Sequence, residues 1–298
     1  MVEQADIRRA RLDDHDGVTR LCADIWPDRD TEYLPEIYPT WIAGEHTETL
    51  LAARDGDILG IAQCVLLTEH EAWCQGMRVH PTARGRGLGS RLVERLFAWA
   101  SEQGAIVARN MVHAWNAPGM AHSRRVGFEP VTAFRWATPE PALVSELPPL
   151  ERSPAAIWHA WSTSDARSWL GGLAGDRHTT WALSECTRAD IEPAAKDDGT
   201  FAIVDGGVRG MALTGASYTD EMDRPCREYA ATAWGDRDAA EELLAAIRAA
   251  AYRDGLASVR VLIPETPRHV SDMAAVGCAL SETPYLVFAA DLLDATRH

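Results

Sequence analysis

At 298 residues the chain is long for a single core and comfortable for two domains of about 150 residues each. A formal charge of −15 argues against a nucleic-acid partner, because phosphate binding needs clustered Lys and Arg, and Lys196 is the only lysine among 29 basic residues. With 46% hydrophobic and 24% charged residues the composition is that of a globular protein, and no run approaches the roughly 18 apolar residues of a membrane span.

Residues 1–6 carry neither the basic start nor the apolar stretch of a secretory signal, which predicts a cytoplasmic protein. A strand is expected at 7–10, followed by a helix opened by Asp13 and Asp14, whose carboxylates suit a helix N-terminus. The stretch 26–41 is rich in both aromatics and acids, with Tyr33, Tyr38 and Trp41 as candidate substrate contacts through cation–π attraction. Asp55-Gly56, flanked by β-prone residues, reads as the tight turn of a hairpin. A strand at 71–79 and a helix at 88–103 follow, the helix with Leu88, Leu92, Val93, Leu96, Phe97 and Ala100 on one face. Beyond them come a strand at 105–112, a short helix after Asn116 and a last strand near 134–137. Six scattered cysteines show no metal-ligand spacing, and no metal is expected.

Much of this pattern returns 150 residues later. The hairpin 51–62 matches 201–212, the helix 88–103 matches 238–253, and Val126-Gly127 matches Val276-Gly277. Between the copies lies a segment holding Pro139, Pro141, Pro148, Pro149 and Pro154. The expected architecture is α+β: domains at 1–138 and 155–298, joined by a Pro-rich linker at 139–154, each a mixed, mostly antiparallel sheet flanked by helices.

The chemistry is most legible at Arg84-Gly85-Arg86-Gly87-Leu88-Gly89-Ser90, where a strand passes into a helix through three alternating glycines. Glycines let successive backbone N–H groups approach an anion, and the helix adds the positive end of its dipole. A dinucleotide loop would follow the first strand of its domain, and a Walker loop would need Gly-Lys; neither holds here. The strand, Pro81 and this loop resemble the coenzyme A signature of the GNAT acetyltransferase superfamily. Asn116 and Val126-Gly127-Phe128 resemble its second signature.

The resemblance implies acetyl-CoA as donor, held by Met77, Val79, Arg84, Gly85, Arg86, Gly87, Gly89, Ser90 and Asn116. It also implies direct acetyl transfer to the amine of a small molecule. Where many members carry a glutamate base the chain has Gln75, and where many carry a tyrosine acid it has Ser123. Glu71, His80, His113, His122 and Ser123 are therefore the candidates for proton transfer, with Glu71, His122 and Ser123 as the catalytic set. Tyr33-Leu34-Pro35, Tyr38 and Trp41 also resemble the histidine N-acetyltransferase subgroup, which implies a free amino acid as acceptor. A non-catalytic acyl-CoA-binding protein and a protein N-acetyltransferase stand as alternatives. In the second copy Gly85, Gly87 and Gly89 face Gly235, Arg237 and Ala239, so that copy is expected to be degenerate and to pair with the first as two subunits pair. A homodimer of the whole chain is a further expectation.

Overall fold

The computed structural model describes residues 5–25, 32–196 and 200–295, so Trp26, Pro27 and their neighbours to Thr31 lie outside the described residues. The chain divides into two compact units. The first comprises residues 1–112, 116–130 and 288–298; the second comprises 113–115 and 131–287.

In the first unit the elements are β1 (Asp6–Arg9), α1 (His15–Ile25), α2 (Leu34–Ala43), β2 (Thr47–Arg54), β3 (Asp57–Leu66), β4 (Glu71–Val79), α3 (Leu88–Glu102), β5 (Val107–His113, its last residue falling in the second unit) and α4 (Ala117–Arg125). Asp55 and Gly56 take φ of 54° and 89°, the left-handed pair that a two-residue hairpin between β2 and β3 requires. The sheet runs β1-β2-β3-β4-β5, antiparallel except for the parallel pair β4–β5. One face carries α1 and α2, where Val18, Leu21, Leu34, Tyr38 and Trp41 pack on Leu51 and Ile61. The opposite face takes the apolar stripe of α3, and Gly60 of β3 lies beneath Leu88 and Leu92.

The second unit holds β6 (Glu129–Thr138, from Val131 on), α5 (Pro154–Thr163), α6 (Ala166–Trp169), β7 (Leu173–Gly175), β8 (Leu183–Glu185), α7 (Arg188–Lys196), β9 (Thr200–Val204), β10 (Val208–Thr219), β11 (Pro225–Ala233), α8 (Arg237–Arg253), β12 (Ser258–Pro264), α9 (Pro267–Ala275), β13 (Ala279–Leu280) and β14 (Tyr285–Asp291, to Val287). Its sheet repeats the logic of the first: β9, β10 and β11 are antiparallel and β11–β12 is parallel, with β6 added antiparallel to β12. The face beneath α8 is an alanine-rich core in which Ala239, Leu243, Ile247 and Ala250 meet Phe201, Ala212, Tyr229 and Val261. The architecture is α+β, with mixed sheets flanked by helices. The Pro-rich segment is tied to this second unit, since Arg248 Nε donates to the Glu140 carbonyl and Leu150 bridges to Ile203.

Candidate active site of the first unit

The site begins where β4 and β5 part. Their ladder pairs Glu71 with Val107, Ala72 with Ala108 and Trp73 with Arg109, and the recorded pairing ends there. Beyond Trp73, β4 keeps its partner β3 as far as Val79↔Gly60, so its other edge faces an opening instead of a strand. A bulge accompanies the opening: Ile61 faces Arg78 while Gln63 faces Gln75, which leaves one extra residue on β4. Gly76 supplies the left-handed turn that the bulge needs, at φ 66°. The indole of Trp41 lies directly over it, and a Cβ there would stand 2.1 Å from the ring.

From Val79 the chain runs through a 3₁₀ turn, Pro81–Ala83, whose start His80 caps through Nδ1. Arg84 Nε folds back to donate to the Val79 carbonyl at 3.1 Å. Gly85 and Gly87 then take φ of 73° and 74° with nothing within 4 Å of either missing Cβ, so the loop stands open and its glycines serve backbone conformation, not space. Gly87 is the N-cap of α3, and no side chain bonds the helix's first N–H groups. Those donors and the helix dipole are what a phosphate requires.

On the far side of the loop, α4 is capped by Asn116, whose Oδ1 accepts from the Gly119 N–H at 3.0 Å. The His122 ring rests against Gly89, and its Nε2 is buried with no partner in the structure. Burial, reinforced by Arg125, lowers the pKa of His122 and favours the neutral imidazole. Ser123 is 3% exposed, and its Oγ accepts from Asn110 Nδ2 at 3.1 Å. Glu71 is also buried; it lies at the closed end of the β4–β5 pair, in an ion pair with Arg109. His80 faces Asp24 at 3.2 Å, and His113 belongs to the second unit, its ring tilted against that of Tyr285.

The candidate substrate residues separate. Tyr38 is fully buried, its hydroxyl donating to the Arg11 carbonyl at 2.8 Å, which makes it a strut of the α1–α2 core. Tyr33 is half exposed beneath the Arg78 guanidinium, which pairs with Glu32 through two hydrogen bonds of 2.9 and 3.3 Å. Trp41 covers the bulge. Residue-by-residue reading of the sequence missed Gln63, which accepts from Gln75 Nε2 at 2.7 Å. A signal existed, since Gln63 is the one amide in the otherwise apolar run of β3.

Residues 16–128, which span the parted strands, the open loop and α4, match the model of the Acetyltransferase (GNAT) family. The chain carries a GNAT acetyltransferase domain. A GCN5-related N-acetyltransferase from Sphaerobacter thermophilus superposes with a TM-score of 0.60 at 16% identity, covering 96% of this chain and 95% of its own. A Thermoplasma acidophilum protein classed as an acetyltransferase gives 0.56 at 14%, over 96% and 99%. At such identities the likeness establishes the fold. No curated protein sequence matches the chain.

GNAT acetyltransferases take acetyl-CoA as donor, and the residues here fit it. The loop around Gly85 and Gly87 is sterically open, the N-terminus of α3 has unclaimed donors, and the opened edge of β4 at Met77 and Val79 can pair with an extended amide-bearing arm. Among the described residues of the second unit each of these features is reduced or blocked. Between β4 and α3 lie eight residues, His80 to Gly87, whereas between β11 and α8 lie three, Trp234 to Asp236. Asp236 Oδ1 accepts from the N–H groups of Asp238 and Ala239, placing a carboxylate where a phosphate would bind. The β11–β12 ladder also runs two pairs further than its counterpart, to Ala230↔Leu262, which leaves less of an opening.

Proposed function

We propose that the first unit transfers acetyl from acetyl-CoA to the amine of a small molecule, with free amino acids the leading class of acceptor. The observation that carries this reading is the pairing of an open, uncapped phosphate loop with a strand edge freed by the bulge at Gly76.

Bound acetyl-CoA supplies an activated thioester. Backbone N–H groups of Leu88, Gly89 and Ser90, with Arg84 and Arg86, would hold the pyrophosphate. The edge of β4 at Met77 and Val79 would fix the arm and offer an N–H to the charge that develops on the carbonyl oxygen. Gln75 cannot take a proton, but its Oε1 can accept a hydrogen bond from the incoming amine and orient it. Its Nε2 is already given to Gln63. Glu71 is assigned to holding the closed end of the strands, because its charge is committed to Arg109. Ser123 lies too deep, and is too firmly bound to Asn110, to serve as more than an anchor for α4. The Arg78–Glu32 pair over Tyr33 offers both charges that an amino acid complements, a cation for its carboxylate and an anion for its ammonium. That complementarity supports the amino-acid class.

The test is acetyl-CoA-dependent thiol release with a panel of free amino acids, polyamines and peptide N-termini. Release with an amino acid, reduced in Arg78→Leu through KM, is expected. Release with peptides alone would overturn the small-molecule reading.

A further inference from the structure

Strand register brings together two cysteines that lie ten residues apart in the chain. Cys64 of β3 and Cys74 of β4 are direct partners in the antiparallel ladder, and their sulfurs stand 3.7 Å apart. The other four cysteines belong elsewhere: Cys22 to α1, Cys226 to β11, and Cys186 and Cys278 to the connections after β8 and α9. Side chains alternate along a strand, so Cys64 shares the α3 face with Gly60, while Gln63 shares the face of Ile61 beneath α1 and α2. Opposed residues of an antiparallel pair have Cα atoms about 4.5 or 5.5 Å apart, within the roughly 4.4–6.8 Å that a disulfide spans. Rotation of two side chains is therefore enough to join the sulfurs.

The position of the pair gives it a consequence. Trp73↔Arg109 ends the recorded β4–β5 ladder, so Cys74 is the first residue of β4 at the opening. Cys64 is fully buried, whereas Cys74 keeps 8% of its surface. Contact with Cys74, together with burial, holds the pKa of the Cys64 thiol well above its ordinary value. A buried, protonated thiol is a poor nucleophile, so attack on an incoming oxidant falls to Cys74. Immediately after Cys74 come Gln75, bonded to Gln63, and the bulge at Gly76.

We propose that Cys64 and Cys74 form a dithiol that hydrogen peroxide converts to a cross-strand disulfide, and that this disulfide weakens acetyl-CoA binding. The effect on the coenzyme rests on the acetyl-transfer reading above; the sulfur chemistry does not. Cys74, as thiolate, attacks one peroxide oxygen and becomes a sulfenic acid. The O–O bond breaks, and the departing hydroxide takes up the proton that Cys74 shed. Cys64 then attacks the Cys74 sulfur: the S–S bond forms, the S–O bond breaks, and hydroxide leaves as water with the Cys64 proton. The two thiols together give up two electrons, and one peroxide becomes two waters. The bond closes the gap between the sulfurs from 3.7 Å to about 2 Å. A packed sheet transmits that contraction, which draws β4 towards β3 beside the bulge and displaces the edge that Met77 and Val79 present.

The experiment treats the reduced full chain with hydrogen peroxide, quenches with iodoacetamide and maps every cysteine by peptide mass. A peptide linked through Cys64 and Cys74, lacking two hydrogens, should form in native buffer and revert with dithiothreitol, the other four cysteines being alkylated. In Cys64→Ser, oxidation of Cys74 should stop at the sulfenic acid, trapped by dimedone, whereas Cys74→Ser should leave Cys64 free to alkylate. Acetyl-CoA Kd, measured by calorimetry, should rise several-fold on oxidation and return on reduction. The double variant Cys64→Ala, Cys74→Ala, treated identically, should keep its Kd. Alkylation of both residues after peroxide, linkage to a different cysteine, or linkage only in denaturant would overturn the dithiol. A linked protein with unchanged Kd would overturn its coupling to the coenzyme. If the reduced chain binds no acetyl-CoA, the transfer reading fails, and the peptide masses still decide the dithiol.

Discussion

The imidazole of His122 occupies the space that a side chain at Gly89 would need: a Cβ there would stand 3.0 Å from ring Cε1 and 3.3 Å from Nε2. The first turn of α3 and the body of α4 are thus fitted to each other at the mouth of the phosphate loop. Gly89→Ala should shift one or both, costing about 1 kcal/mol of stability despite alanine's better helix propensity. Acetyl-CoA should bind several-fold more weakly. In a His122→Ala background the same substitution should be nearly harmless. Thermal denaturation and calorimetric titration of the four proteins complete a double-mutant cycle, and strictly additive effects would show that the two residues do not interact.

Gly87 separates conformation from space. Its φ of 74° is left-handed, yet a Cβ would meet nothing within 4 Å. Asparagine tolerates this region and β-branched residues do not. Gly87→Asn should keep acetyl-CoA affinity within a few-fold, whereas Gly87→Val should lose it by a factor of ten or more. Equal losses in the two variants would mean that the loop fails for steric reasons, against the open geometry.

Much of this site was legible beforehand because its signals are local. The bounds of β4, the turn at Asp55-Gly56 and the glycines before α3 each follow from a few adjacent residues whose backbone needs are specific. The Gln63–Gln75 and Cys64–Cys74 pairs were not, because they exist only once the register of β3 and β4 is fixed and one residue of bulge is allowed for. The 150-residue offset also concealed a difference between the copies. Helices α3 and α8 keep the offset to within a residue, but β11 ends at Ala233, late enough to consume most of the loop. Sequence alignment by offset compares residues there that belong to different elements.

At the bulge, Gly76 is constrained twice, by its φ of 66° and by the Trp41 ring 2.1 Å from the position of a Cβ. Gly76→Ala should cost on the order of 3 kcal/mol, the sum of overpacking and left-handed strain. Adding Trp41→Leu should recover the overpacking part and leave about 1 kcal/mol. Chemical denaturation of the single and double variants measures the two parts. Complete recovery in the double variant would show that backbone conformation contributes nothing.

In the second unit Asp236 caps α8, so Asp236→Ala should lower stability by about 1 kcal/mol. It should also fail to create coenzyme affinity, because three residues between β11 and α8 cannot form the cradle that eight form in the first unit. Calorimetry should find one acetyl-CoA site per chain in the wild type and in this variant. A second site appearing in the variant would locate the defect in the carboxylate instead of the loop length.

Glu228 gives the second unit a pH dependence of defined sign. Its carboxylate is almost wholly buried, accepting from Arg260 at 2.8 Å and from the Trp181 N–H at 3.3 Å. Burial outweighs the attraction of Arg260 and pushes its pKa up to about 7, from an ordinary value of 4.5. A carboxyl whose folded pKa is raised holds its proton more tightly in the folded state. The stability it contributes is therefore whole below about pH 4.5 and is lost as the pH climbs through about 7. The shift corresponds to about 3 kcal/mol, approached by pH 8. Glu228→Gln keeps a hydrogen-bonding oxygen for Arg260 and removes the titration, so its unfolding free energy should fall less than that of the wild type between pH 5 and pH 8. Denaturant midpoints across that range test the difference. Parallel pH profiles for the two proteins would mean that Glu228 is ionised throughout and that Arg260 prevails over burial.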